Sequence, residues 1–199
     1  MKKVLNEYFR RGVRKLKHRK GFGVHSPFAY AIITEVIEEK IPYYAYASMQ
    51  RRYDKKCDVP FKVVTLLFRL ANRFRCRNIV IIGEEQYATM PLTEVDSRNA
   101  VSVFNDVQSL PMSDDVKYDM IVVNQNPFPD ESQLLEWLLN HATPETIFFA
   151  KGIQPKHTLE AFWDAFSELD EVPITMDLFD YGLAIMKPNF FKQHYIVSF

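Results

Sequence analysis

One short segment constrains the fold of this chain more than any other: the five residues from Asn78 to Ile82, followed directly by Gly83. Four of the five are β-branched and apolar, with no polar residue between them. A strand with one solvated face alternates apolar and polar residues, so an unbroken apolar run predicts a strand buried on both faces. Such a strand needs a layer of helices on each side of its sheet, which is the architecture of α/β domains.

The segments around this strand alternate between strand-like and helix-like patterns. Short apolar runs predict further strands at 101–104, 118–123 and 146–150. Apolar residues at helical spacing predict four helices. Two lie at 26–40 and 60–75, a third is capped by Asp130, and a fourth starts at Pro155. Three β-like segments close the chain, at 172–179, 181–187 and 194–199. The alternation predicts a mainly parallel sheet, and the closing strands predict an antiparallel C-terminal edge.

The length of 199 residues fits one domain, 1–199. We divide it into a basic helical arm (1–20), a helical lead-in (21–75) and an α/β core (76–199). No run approaches the roughly 18 apolar residues that span a membrane. The N-terminus has neither the apolar segment nor the cleavage site of a signal peptide. We therefore expect a cytoplasmic protein without a transmembrane segment.

The two cysteines, Cys57 and Cys76, give no indication of a metal site. They show no CxxC spacing and have no cluster of histidines nearby. Two free thiols are typical of proteins in the reducing cytosol.

The N-terminal arm concentrates positive charge. Residues 1–20 hold nine lysines or arginines and one acid, although basic and acidic residues are equal in number, 25 each, over the whole chain. The pattern predicts an amphipathic helix at 3–18, attached to an acidic body. Such an arm can bind nucleic acid or an anionic membrane surface, or it can simply cover the acidic body. No signature of an RNA-binding module accompanies it.

Three groups of residues carry a resemblance to a known family. The first is Gly21 to Phe28 (GFGVHSPF), the second is the helix 66–72 leading into the strand ending at Gly83, and the third is 174–183 with 194–199. The chain resembles the S-adenosylmethionine-dependent methyltransferase family of Bacteroidetes. Members of that family open with a G-x-H-S-P-F-like segment and close with a D-L-F-x-x-G-like hairpin and a final aromatic strand.

The resemblance implies a class I, Rossmann-like methyltransferase sheet of seven strands. The sheet would be mainly parallel with an antiparallel C-terminal edge, covered by helices on both faces and preceded by N-terminal helices. S-adenosylmethionine would lie at the carboxyl ends of the first strands. The resemblance places three candidate cofactor-binding residues at those strand ends: Gly83, Asp106 and Asn124.

The first strand departs from the family pattern. Ile81 stands where the family has an acid, and of the family's glycine-rich loop only Gly83 remains. Glycine matters there because it lets the backbone turn tightly and approach the cofactor. Glu84, Glu85, Gln86 and Tyr87 follow instead, and we expect them to crowd the cofactor and repel its carboxylate.

The other strand ends depart as well. The family's second strand ends in an acid that holds the ribose hydroxyls, a position that Asp106 reaches only if the register slips by one residue. The segment between Phe104 and Tyr118 is too short for the helix and strand that follow in the family. Asn124 occupies the place of an acid near the methyl acceptor. Ala150 and Lys151 stand where some relatives have metal-binding acids, so we predict no metal.

Other motifs allow two interpretations each. His25 lies either at the mouth of an active site or beside a helix start at Ser26 and Pro27. Glu84 and Glu85 are either an acid/base pair or two side chains that point apart. A tyrosine-rich segment is either a platform for stacking bases or a packing segment between helices; it contains Tyr43, Tyr44, Tyr46 and Tyr53, with Arg51 and Arg52.

Three functional hypotheses follow from the sequence. The first is a degenerate methyltransferase, a pseudoenzyme that binds S-adenosylmethionine weakly or not at all. The second is an active methyltransferase with a divergent pocket that acts on a small molecule, because methyl transfer depends mainly on proximity and geometry. The third is a non-catalytic binding or scaffold protein that uses its basic arm, with nucleic acid as one partner. The sequence does not determine the oligomeric state.

Overall fold

The computed structural model describes residues 12, 23–53, 57–83, 87–111, 113–155 and 157–199. Apart from Gly12, the predicted helix at 3–18 lies outside the described residues, as do Glu84, Glu85 and Gln86. Seven strands form one sheet. They are β1 (Asn78–Ile82), β2 (Ala100–Phe104), β3 (Tyr118–Val123), β4 (Ala142–Lys151), β5 (Ile174–Asp177), β6 (Tyr181–Ile185) and β7 (Gln193–Ile196).

Helices precede and connect these strands. They are α1 (Pro27–Ile32), which continues as a π-helical turn (Ile33–Ile37), α2 (Tyr46–Arg52), α3 (Phe61–Phe74), α4 (Thr89–Val95), α5 (Glu131–His141) and α6 (Glu160–Glu168). A short 3-10 turn, Val107–Ser109, lies between β2 and β3. In the described part of the chain, no helix is long and apolar enough to cross a membrane.

The order of strands confirms the predicted fold class. The sheet runs β2-β1-β3-β4-β6-β5-β7. The first four strands in this order are mutually parallel. β6 lies between β4 and β5 and is antiparallel to both, while β7 pairs in parallel with β5. The antiparallel pairing therefore belongs to the C-terminal hairpin, whose second strand inserts into the sheet beside β4.

The sheet ends at β2. The 3-10 turn after β2 leads into β3, which pairs on the far side of β1. Among the described residues between Phe104 and Tyr118, the structure has this 3-10 turn as its regular element.

The core lies on both faces of the sheet. Ile79 and Ile81 of β1 belong to a cluster that includes the buried residues of α1, α3 and α4. Val80 and Ile82 belong to a second cluster with the buried residues of α5 and α6. Alternate residues of one strand thus enter opposite cores, which confirms the prediction of a strand buried on both faces.

Two helix caps follow the sequence pattern. The Ser26 hydroxyl accepts a hydrogen bond from Ala29 N at 3.3 Å, with Pro27 at the first helical position. Asp130 Oδ1 accepts one from Ser132 N at 2.9 Å at the start of α5. His25 is exposed just before the first of these caps.

Two short helices were not predicted. Pro91 lies in the first turn of α4, where a backbone N–H has no acceptor within the helix. α2 forms in the tyrosine-rich segment, and the rings of Tyr43, Tyr44 and Tyr46 contact Phe68 edge-on at 5.5–6.1 Å. The half-buried rings of Tyr43 and Tyr46 therefore pack against α3, whereas Tyr44 is exposed.

The two cysteines have different environments, which predicts different reactivities. Cys76 is 2% exposed, and burial together with the nearby Asp119 raises the pKa of its thiol to about 12. Cys57 is half-buried. Because the thiolate is the reactive species, we expect iodoacetamide at pH 8 to modify Cys57 and to spare Cys76 in the folded protein. Peptide mass spectrometry measures the labelling of each cysteine. If Cys76 were labelled as fast in the folded protein as after denaturation, the prediction would be wrong.

Candidate functional site

The carboxyl ends of the four parallel strands β2, β1, β3 and β4 lie side by side at one edge of the sheet. Open α/β sheets bind their ligands at this edge. The candidate site is therefore the set of residues that follow these strands.

Gly83 follows β1 and has a positive φ angle, a backbone conformation that favours glycine. Its φ is +93°, and its N–H donates to Phe104 O at 2.8 Å. A Cβ at this position would lie 2.7 Å from Gln125 Cγ and 3.3 Å from Asn124 Cβ. The lack of a side chain at Gly83 is therefore accounted for by packing within the chain itself.

Gln125 lies across the carboxyl end of β1. It belongs to the loop after β3, and its Nε2 donates to Asn105 O after β2 at 3.3 Å. Since β1 lies between β2 and β3, the Gln125 side chain passes over Gly83 to make this bond. Gln125 was not among the residues predicted from the sequence, although it directly follows the candidate residue Asn124.

Asn124, the first residue after β3, forms hydrogen bonds with Ile82 at the end of β1 and with Tyr87. Its N–H donates to Ile82 O at 2.8 Å, and its Oδ1 accepts a hydrogen bond from the Tyr87 hydroxyl. Tyr87 is 3% exposed, so its ring is part of the core next to this strand end.

Lys151, the last residue of β4, places a positive charge beside Tyr87. Its Nζ lies 5.6 Å from the centroid of the Tyr87 ring, within cation–π range. The same Nζ lies 2.9 Å from Asp58 Oδ2. A cation thus occupies the position where some members of the resembled family carry metal-binding acids. In the described ranges, no group of three or more His, Cys, Asp or Glu could hold a metal ion.

Asp106 lies beyond the end of β2 and is exposed. Its Oδ1 accepts from Ser109 N at 2.9 Å, which caps the 3-10 turn, and its own carbonyl accepts from the Ser109 hydroxyl at 2.8 Å. The first residue after β2 is Asn105 rather than an acid. Of the three candidate residues, the structure brings Gly83 and Asn124 into contact and directs the Asp106 carboxylate to its own turn.

This arrangement does not fit S-adenosylmethionine held as the family pattern implies. The side of Gly83 that lacks a Cβ faces Gln125 and Asn124. The carboxylate of Asp106 and the amide oxygen of Asn124 both accept hydrogen bonds from other parts of the chain. A ligand that contacts Gly83 from this side would have to displace the Gln125 side chain.

Solved methyltransferases have the same fold. A methyltransferase from Geobacter sulfurreducens aligns with a TM-score of 0.53 and 11% identity, over 81% of this chain and 97% of that one. An O-methyltransferase from Bacillus cereus in complex with SAH aligns with a TM-score of 0.51 and 13% identity, over 79% and 97%. The O-methyltransferase TomG from Streptomyces achromogenes, in complex with SAM, gives 0.50 and 13%, over 79% and 96%.

Similarity at these identities shows the fold. The comparison of the sequence with protein-family models finds no match, and the comparison with curated proteins finds none either. The chain thus has the fold of these methyltransferases at 11–13% sequence identity to them.

Proposed function

We propose that this chain is a degenerate methyltransferase-fold protein that binds S-adenosylmethionine weakly or not at all. One observation carries the proposal: the Gln125 side chain crosses the carboxyl end of β1, against Gly83, to reach Asn105. The hydrogen bond between Tyr87 and Asn124 supports it, because it places a buried aromatic ring beside the same strand ends. Ile81, which stands in the place of an acid, adds a third argument from the sequence.

Calorimetry with S-adenosylmethionine and with SAH tests the proposal. We expect no saturable heat at ligand concentrations up to the millimolar range, because binding would break the Gln125 contact and uncover buried groups. The O-methyltransferase from Bacillus cereus, solved in complex with SAH, is the matched positive control. Micromolar binding of either compound to this chain would contradict the proposal.

Micromolar binding would instead favour an active methyltransferase with a divergent pocket. In that case Asp106 is the carboxylate available after β2 for the ribose hydroxyls, and Asp106→Ala should abolish binding. Ser109→Ala is the control, because it removes the hydroxyl that bonds the Asp106 carbonyl and leaves the carboxylate in place.

The basic arm carries the third hypothesis, which stays a prediction because nearly all of residues 1–20 lie outside the described residues. Under this hypothesis, the chain binds nucleic acid or anionic lipid, and the binding weakens as the salt concentration is raised. Equal binding by a chain shortened to residues 21–199 would contradict it.

A further inference from the structure

We propose that a cleft beside α6 binds a small hydroxylated amine, such as an amino sugar. The cleft has a volume of about 360 Å³ and is lined by residues of α6, the loop after β4, β5 and β7. That volume lies at the small end of the range for ligand sites. Neither Gly83 nor Asn124 nor Gln125 lines the cleft, so it is distinct from the strand ends described above.

The indole N–H of Trp163 is a hydrogen-bond donor without a partner. Trp163 is 4% exposed, and its six-membered ring faces Gly182 of β6. Nε1 belongs to the other ring, and it donates to no described residue. Among the described side chains, the atom that is both sealed from solvent and unpartnered is His141 Nε2. Trp163 Nε1 is therefore open, and the cleft is the open space that Trp163 lines. Because a buried indole N–H usually finds a partner, this one indicates an acceptor on a ligand.

Gln154 supplies an acceptor in the same cleft. Its side chain is 9% exposed, and its Nε2 donates to Phe179 O. Its Oε1 accepts from no described residue and is likewise not sealed from solvent. A hydroxyl group matches this combination, because it can accept from the indole N–H and donate to the amide oxygen.

Carboxylates make the cleft negative. Glu160, Asp164 and Glu168 follow one another at four-residue intervals along α6, and all three line the cleft. Asp177, the last residue of β5, lines it as well. Like charges four residues apart destabilise a helix. Among the described residues, no ion pair offsets the charge of Asp164 or Glu168. The row of acids therefore indicates a ligand with a positive charge.

The spacing of the acids favours an organic cation over a single metal ion. Four residues of α-helix rise by about 6 Å, so the three acidic side chains leave α6 at well-separated points. A metal ion gathers its oxygen ligands within about 2–3 Å, whereas an ammonium group binds one or two carboxylates at the surface of a larger molecule. A hydroxylated amine meets both requirements, with its ammonium group on the acids and a hydroxyl between Trp163 and Gln154.

NMR of the indole N–H groups during a titration with glucosamine at pH 7 tests the proposal. The chain has two tryptophans, and Trp137→Phe assigns their signals. We expect a saturable shift of the Trp163 signal. Trp137 is the internal control, because its Nε1 already donates to Pro111 O at 2.9 Å. Glucose lacks the ammonium group and putrescine lacks the hydroxyls, so both should need much higher concentrations.

Three outcomes of this titration would overturn the proposal. They are a Trp163 signal that glucosamine does not move at any concentration into the millimolar range, equal shifts of both tryptophan signals, and a titration midpoint for glucose or putrescine as low as that for glucosamine.

Neutral variants of the helix acids test the role of charge. Asp164 and Glu168 are exposed, so Asp164→Asn combined with Glu168→Gln should leave the fold intact. We expect this double variant to raise the glucosamine midpoint about fivefold, because exposed ion pairs are individually weak. Glu136→Gln is the matched control, since Glu136 is exposed on α5 and does not line the cleft. Equal midpoints for the double variant and this control would overturn the proposal.

Discussion

Replacing Gly182 by alanine is expected to lower the free energy of unfolding by about 1–3 kcal/mol, because the added methyl group overlaps an indole ring. Gly182 is buried in β6, the strand inserted between β4 and β5. A Cβ there would lie 2.5 Å from both Cη2 and Cζ3 of Trp163, which is 4% exposed on α6. Either the ring must shift within a packed core or the strand must move away from α6. Urea denaturation measures the loss.

A double-mutant cycle assigns this loss to the ring. Trp163→Leu is itself expected to destabilise the protein, but it removes the atoms that the new methyl group meets. In the Trp163→Leu background, Gly182→Ala should therefore cost clearly less than in the wild type. Equal costs in the two backgrounds would show that the ring is not the cause.

Replacing Arg69 by methionine is expected to cost about 2–3 kcal/mol, because hydrogen bonds from a buried charged group are among the stronger ones. Arg69 is 5% exposed on α3. Its guanidinium donates to Val36 O at 2.5 Å and to Ile37 O at 3.3 Å, and also to the Tyr46 hydroxyl at 2.9 Å. The cation also lies at the carboxyl end of a helical segment, where the backbone dipoles favour positive charge.

Arg73→Met is the matched control for this prediction. Arg73 lies one turn further along α3, its side chain is half exposed, and its Nη2 lies 3.7 Å from Glu35 Oε2. Exposed ion pairs contribute little, so we expect a change of no more than about 0.5 kcal/mol. Thermal and urea unfolding of both variants give the comparison, and similar losses for the two would argue against Arg69 as the link between α3 and the first helices.

At the candidate site, part of the crowding could be predicted from the sequence and part is visible only in the structure. The sequence predicted crowding at the strand ends from the residues that follow Gly83, of which the structure describes Tyr87. The structure adds Gln125, which lies against Gly83 from the neighbouring strand end. Local pattern cannot predict that contact, because it depends on β1 and β3 being neighbours in the sheet although α4 and β2 separate them along the chain.

What the sequence determined by itself was local. The unbroken apolar run at β1, the bounds of β3 and the caps at Ser26 and Asp130 all follow from the type and spacing of nearby residues. Each of these depends on interactions between residues close in the sequence, so that no knowledge of the tertiary contacts was needed.

Only the tertiary structure decided which distant groups meet. It placed β6 between β4 and β5, set Trp163 against Gly182, and brought the Arg69 guanidinium to carbonyls more than thirty residues away. Such contacts depend on the pairing of strands and the packing of layers, which many sequences satisfy with different residues, so no local pattern specifies them.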